Sequence, residues 1–380
     1  MSTTRIINIG NLVNTRGESQ LLYGKQLANL PSVPKSYLLI EDGEIADWGS
    51  MEDLNSKINP SSEELIDAKG QWILPCWCDS HSHLVFAGSR EIEFVDKIQG
   101  LSYAEINARG GGILSTVAQV HEASEDFLFA LAWQRLESIS RLGTGAIEIK
   151  SGYGLTVESE IKMLRVIQKL KNRSRLTIRS TFLGAHTFPS HFKENHPGYI
   201  KQIIEEMLPI IAKEKLADYI DVFCEKGFFS PEETEQIVKA GLCLGLKPKL
   251  HVNQLNSIGG IETGIRLNAL SLDHLETLTE EDLQNLSEAS VKKSWKGVCT
   301  LLPTAAFFLR MPFQQARKLI DSGCAIALAS DYNPGSSPSG NMNFVIALSC
   351  IQMKMLPSEA INAATINGAY AMGIEKELGS

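Results

Sequence analysis

From Gln71 onward the chain alternates short apolar runs with longer stretches in which apolar residues recur every three or four positions. The runs fall at residues 72–78, 146–149, 176–183, 219–223, 248–252, 269–272, 298–302 and 325–329, eight in all. Residues 115–142 carry Val117, Val120, Phe127, Leu128, Leu131 and Leu136 at helical spacing and stop at Gly143, which predicts one long helix. Thr156 opens another through Ile161, Leu164 and Ile167, and Thr279 caps a third with acids in its first turn. Ser230-Pro231-Glu232-Glu233 places a serine cap, a proline at the first helical position and a glutamate at the third, a capping box ahead of Ile237 and Ala240. Strand-then-helix repetition is the rhythm of β/α units around a parallel sheet, and eight units in about 280 residues match a (β/α)8 TIM-like barrel. No G-x-G-x-x-G or Walker phosphate loop follows any run, which argues against a doubly wound sheet. Upstream, residues 5–13, 37–40 and 45–48 read as short strands, the last two joined through Asp42-Gly43. The expected organisation is a small β-rich domain over 1–70, the barrel over 71–350 and C-terminal helices over 351–380.

Composition narrows the function. Of the 380 residues, 43% are hydrophobic, enough for a sizeable interior, which excludes wholesale disorder. A net charge of -8 repels phosphate backbones and anionic lipid, so neither nucleic acid nor membrane is expected as a partner. No apolar stretch approaches a membrane span and residues 1–10 lack an export-signal plan, so a cytoplasmic protein is expected. Seven cysteines without C-x-x-C spacing read as buried apolar residues.

Chemistry gathers where the apolar runs end. The first ends in Asp79-Ser80-His81-Ser82-His83, and residues two apart on an extended segment share a face, so His81 and His83 can converge on one ion. Later runs deliver His251, then Asp273-His274-Leu275-Glu276, then Ser330-Asp331-Tyr332-Asn333. A lone H-x-H is weak, because strand histidines are often simply hydrogen-bonded. His121 on an amphipathic helix, and His191 and His196 in a polar loop, read as solvated surface. Four strand ends supplying His or Asp to one barrel mouth instead predict a metal site. Three imidazoles and a carboxylate with an open position suit one Zn²⁺ per chain, and Fe or Mn accept the same donors. Such an ion lowers the pKa of a bound water toward about 7, which implies hydrolysis, with Asp331 and His274 placed to move protons. Gly110-Gly111-Gly112 before a helix could cradle an anion, although most such runs are turns.

These residues, with HLVFAGSREIEF (83–94), EIKSGYGL (148–155), TFLGAHTFP (181–189), DVFCEKGFFS (221–230), LDHLE (272–276) and SDYNPGSSP (330–338), resemble the metal-dependent amidohydrolase superfamily and, within it, the imidazolonepropionases. The resemblance covers most of the chain from about residue 70. It implies a hydrolase acting on a cyclic amide C–N bond, opening 4-imidazolone-5-propanoate to N-formimino-L-glutamate in histidine degradation. It implies metal ligands His81, His83, His251 and Asp331, proton transfer by His274, and substrate contacts from Arg90, Tyr103, Tyr153, His186, Gln254, Asn333, Gly335 and Ser336. The substrate is then a small anionic heterocycle, and a homodimer is expected. The chemistry asks for the same types: Arg90 offers a planar fork to a carboxylate, against a plain ion pair with Glu91 or Glu93. Tyr153 between Gly152 and Gly154 can turn inward, and a Pro334-Gly335 turn can present N–H groups to an anion. A loop or core tyrosine, and a histidine packed behind the site at His186, are the plainer alternatives.

Two departures are noted. Gln254 stands where relatives have Glu or Gln, so hydrogen bonding alone is assigned to it. Relatives continue past the position of Ser380 with strands that return to the N-terminal unit, so the small domain is expected to be C-terminally truncated, with exposed strand edges. Three other chemistries stay open: an aminohydrolase releasing ammonia from a nitrogen heterocycle, a two-metal site bridged by a carbamylated Lys150, and an inactive binding homologue.

Overall fold

The computed structural model describes residues 2–56, 64–101, 105 and 111–379. A five-stranded sheet forms from β1 (Thr3–Val13), β2 (Ser32–Glu41), β3 (Glu44–Ser50), β4 (Glu64–Asp67) and β5 (Trp72–Ile73), in the order β3-β2-β1-β4 with β5 also on β1. Asp42 and Gly43 both take positive φ, 51° and 89°, the handedness that matches the twist of the β2–β3 hairpin. Ile9, Leu12 and Leu38 form the sheet's own small core, while Ile45, Leu65 and Trp72 are more than half exposed.

Eight parallel strands follow in chain order as spatial neighbours: β6 (Trp77–Asp79), β7 (Thr144–Lys150), β8 (Thr177–Ala185), β9 (Tyr219–Cys224), β10 (Lys247–Val252), β11 (Ser271–His274), β12 (Val298–Leu301) and β13 (Ile326–Leu328). The barrel closes beyond the first and last strands. Ser82 bridges Tyr332, Asp331 N–H donates to His81 O at 3.0 Å, and His83 N–H donates to Tyr332 O at 2.9 Å. Asp79 reinforces the seam by accepting from the N–H and Oγ of Ser330, at 2.9 and 2.6 Å. Closure therefore pulls the residues after β6 against those after β13, the two segments richest in candidate ligands.

Two expectations are corrected. The run over 72–78 is not one strand: Pro75, with no N–H to give a ladder, separates β5 in the small sheet from β6 in the barrel. The segment over 115–142 is two helices, Ile113–Glu122 and Glu125–Ser140, because extended Ser124 caps the second by accepting from Phe127 N–H. The capped helices Val157–Arg173, Pro231–Cys243 and Glu280–Val291 begin after Thr156, Ser230 and Thr279 as expected.

The far end of the barrel is stoppered by the helices Pro357–Ala364 and Ile366–Ala371 and by the chain over 14–29. Asn367 Nδ2 donates to Leu22 O and Ile326 O, Asn362 Nδ2 donates to Leu27 O and Asn29 O, and Leu22 and Leu27 lie in the barrel's own core. Ligand access is thereby left to the C-terminal mouth. Among the described residues no helix is long and apolar enough to cross a membrane.

Candidate metal centre

His81 and His83 sit just past β6, His251 is the penultimate residue of β10, His274 ends β11 and Asp331 lies past β13. All five are buried. Donor atoms of His81, His83 and Asp331 lie within 4.8 Å of one another, and so do those of His81, His251 and His274. Nε2 of His81 and of His83 stand 3.5 and 3.6 Å from Asp331 Oδ1. The ring centroids of His81 and His251 are 4.5 Å apart.

These residues fit a cation. His81 Nε2 and His251 Nε2 are buried without a hydrogen-bond partner among the described residues, a costly state unless something else satisfies them. Burial, reinforced by neighbouring cationic groups, holds the pKa values of His81, His83 and His251 well below the ordinary histidine value, so the rings carry free lone pairs. Three of the four imidazoles have a carboxylate behind them: Asp273 Oδ2 lies 2.7 Å from His81 Nδ1, Asp221 Oδ2 lies 3.0 Å from His251 Nδ1, and Glu276 Oε1 lies 3.3 Å from His274 Nδ1. Such partners orient a metal-ligating ring and raise its basicity.

His274 differs from the other three. Burial opposes its charge, but Glu276, Asp331 and Asp273 outweigh burial and raise its pKa above the ordinary value. Burial pushes Asp331 up to about 6 against the opposing pull of His274. Both occupy left-handed backbone, φ 89° at His274 and 51° at Asp331, which sets the direction in which each side chain leaves its strand end.

Beneath the imidazoles the barrel interior is ionic. Lys150 Nζ donates to Glu148 Oε1 at 2.5 Å and Asp221 Oδ2 at 2.8 Å, and Lys249 Nζ bonds Glu148, Ser80 O and Ala371 O. Burial disfavours charge on Lys150, but Asp221, Glu148 and Asp273 raise its pKa above the ordinary lysine value. Lys150 is thereby tied by ion pairs to Glu148 and Asp221 inside the barrel. With Asp79, Glu148, Asp221, Asp273 and Asp331 buried beside two lysines, carboxylates outnumber ammonium groups and favour a bound cation.

The substrate side is built from loops. Arg90 Nε and Nη2 donate to Glu93 Oε2 at 2.9 and 2.6 Å, the ion pair weighed as its alternative, though nearly buried. Its remaining edge packs on Gly335, where a Cβ would meet Nη1 at 2.0 Å. Gly112 N–H donates to Glu93 Oε1, so that glycine is engaged within the protein and is not an anion cradle; Gly110 lies outside the described residues. The N–H groups of Gly335 and Ser336, expected to face an anion, donate instead to Asn333 Oδ1, both at 2.8 Å, because the asparagine closes the turn on itself. Ser336 Oγ donates to Asp331 Oδ2 at 3.2 Å.

Tyr153 is buried, its ring 5.7 Å from His83 and 5.6 Å from His186, which in turn stacks on His83 at 5.1 Å. Burial lowers the His186 pKa to about 4, so it is neutral. Gln254 is half-buried past β10, with no hydrogen-bond partner among the described residues. Tyr103 lies outside the described residues. His121 is not merely solvated, since its Nε2 lies 2.5 Å from Gly154 O, and His196 pairs with Glu233 at 2.9 Å.

Three supporting residues went unnoticed in the sequence. Asp221 backs His251, Lys249 holds Glu148, and buried Glu160 accepts from the N–H groups of Gly152, Gly154 and Leu155, clamping the loop that carries Tyr153. The available signal was a charge inside a strand run: Asp221 and Lys249 interrupt apolar sequence, which a protein tolerates only when the charge is paired.

A closed parallel barrel whose C-terminal mouth gathers imidazoles and carboxylates is the architecture of an amidohydrolase. The amidohydrolase family model matches residues 245–380. The solved structure of guanine deaminase from E. coli superposes with a TM-score of 0.72 at 14% identity, covering 100% of this chain and 86% of that one, a likeness of fold. The imidazolonepropionases of Flavobacterium johnsoniae and Flavobacterium psychrophilum are each 54% identical over 378 residues, 99% of this chain and 90% of theirs. The chain belongs to the imidazolonepropionase family.

Proposed function

We infer that the chain opens the ring of 4-imidazolone-5-propanoate by hydrolysis to N-formimino-L-glutamate, a step of histidine degradation, in the cytoplasm. The observation that carries this is the 54% identity to imidazolonepropionases over nearly the whole chain. The buried, unsatisfied imidazole nitrogens at the mouth support a metal-dependent route. His81, His83, His251 and Asp331 would hold one Zn²⁺, or Fe, per chain. When bound, such a cation polarises a carbonyl and activates a water.

The chain's own groups then manage protons and position. Water oxygen adds to the ring carbonyl carbon, the cyclic amide C–N bond breaks, and the proton released must reach the leaving nitrogen. Asp331, at the mouth with one carboxylate oxygen accepting from Ser336 Oγ, can take that proton and return it. His274, whose pKa is raised by Glu276, would stabilise the developing charge on the former carbonyl oxygen. Arg90 meets the propanoate, and Tyr153, His186 and Gln254 border the ring. Asn333, Gly335 and Ser336 shape the wall, Asn333 by holding the turn and Gly335 by admitting the guanidinium. The partner is a small anionic heterocycle, and the chain works as a homodimer.

Metal-loaded protein incubated with imidazolonepropanoate should remove the substrate's ultraviolet absorbance without releasing ammonia. Release of one ammonia per turnover would instead establish an aminohydrolase, and no decay would refute the assignment.

A further inference from the structure

The helix Glu91–Ile98 follows Arg90 and carries Glu93 and Lys97 at the spacing that puts all three on one face. That face meets the 333–337 loop. Arg90 has given its Nε and Nη2 to Glu93, so one edge of its fork is spent and the pair is close to neutral. A carboxylate arriving there would find little net positive charge from the pair alone. Lys97 supplies what is missing. Its Nζ is half-buried, 3.5 Å from Gly335 O and 5.7 Å from the Phe308 ring centroid, with no carboxylate paired to it among the described residues. Among the described residues its close contacts are that carbonyl and that ring, and the charged groups that act on it are Arg90 and Glu93.

We propose that Lys97 is the second cation of the carboxylate subsite, gripping the substrate's propanoate together with Arg90 against the 333–337 loop. This rests on the functional assignment above and deepens it: specificity for an anionic side chain is divided between a guanidinium already tied to Glu93 and an ammonium in contact with no carboxylate among the described residues. Burial and the nearby Arg90 lower the Lys97 pKa from its ordinary value against a smaller opposing pull from Glu93, and a carboxylate seated between the two cations would relieve their repulsion.

The test compares 4-imidazolone-5-propanoate with its propanamide in the full-length, metal-loaded enzyme and in K97M and K97R. The unsubstituted enzyme should prefer the propanoate, and K97M should reduce that preference in kcat/KM by on the order of tenfold, chiefly through KM, with K97R restoring most of it. K97Q serves should K97M not fold. An unchanged preference in the neutral variant, or a K97R no better than K97M, would overturn the assignment of Lys97. Failure of the unsubstituted enzyme to turn over either compound would bring down the functional assignment itself, and this one with it.

Discussion

His81 Nδ1 and Asp273 Oδ2 lie 2.7 Å apart, both side chains wholly buried. A carboxylate can only accept, so Nδ1 carries the proton and Nε2 turns its lone pair toward Asp331 and the other imidazoles. Asp273 therefore chooses the tautomer that a metal needs. Asp273→Asn, which offers an amide in place of the anion, is expected to weaken metal affinity about 10- to 100-fold, measured by chelator competition.

His251 presents a buried Nε2 with no hydrogen-bond partner among the described residues, while its Nδ1 lies 3.0 Å from Asp221 Oδ2. His251→Ala should cost the protein its tightly bound metal and its turnover while leaving the far-ultraviolet circular dichroism unchanged, because the backbone of β10 is held by its neighbours β9 and β11. Full metal content in purified H251A, read by elemental analysis, would remove His251 from the ligand set.

Gly335 is required by what lies against it. A Cβ would stand 2.0 Å from Arg90 Nη1, and the obstructed atom is the far end of a flexible side chain, not backbone. Gly335→Ala should consequently fold but displace the guanidinium, raising KM for the propanoate substrate about tenfold or more with a smaller change in kcat. Steady-state kinetics separates the two.

Glu160 satisfies three backbone N–H groups of the Tyr153 loop from a fully buried position. Burial raises its pKa, yet its hydrogen bonds favour the ionised form. Glu160→Ala orphans all three donors and is expected to destabilise the fold by about 2–4 kcal/mol in denaturant titration and to raise KM as Tyr153 loses its support. Unaltered stability would mean that the loop holds itself.

The histidines and the aspartate that converge at the mouth were legible in the sequence, and the residues behind them were not. H-x-H after a strand, and His or Asp at later strand ends, follow from a two-residue period and the rule that barrel sites lie at the C-terminal mouth. Glu160 was hidden because it occupies the first turn of the helix Val157–Arg173, where an acid reads as a response to the helix dipole. Its role depends on the chain doubling back through Gly152 at φ 109°, which hydrophobic spacing does not encode. The meeting of Arg90 with Gly335 was hidden for a similar reason, since only barrel closure brings together segments so far apart in the chain. Pro75 was a readable stop that the continuous apolar run masked, and Ser124 was a readable cap masked by helical periodicity on both sides of it.

The most direct measurement is anomalous diffraction at the metal edge from crystals grown under metal-replete conditions. The account requires one ion per chain, bonded at about 2.0–2.2 Å to imidazole nitrogens of His81, His83 and His251 and to a carboxylate oxygen of Asp331, with Lys150 unmodified. Two ions bridged through Lys150, or no ion with those four side chains turned apart, would contradict it.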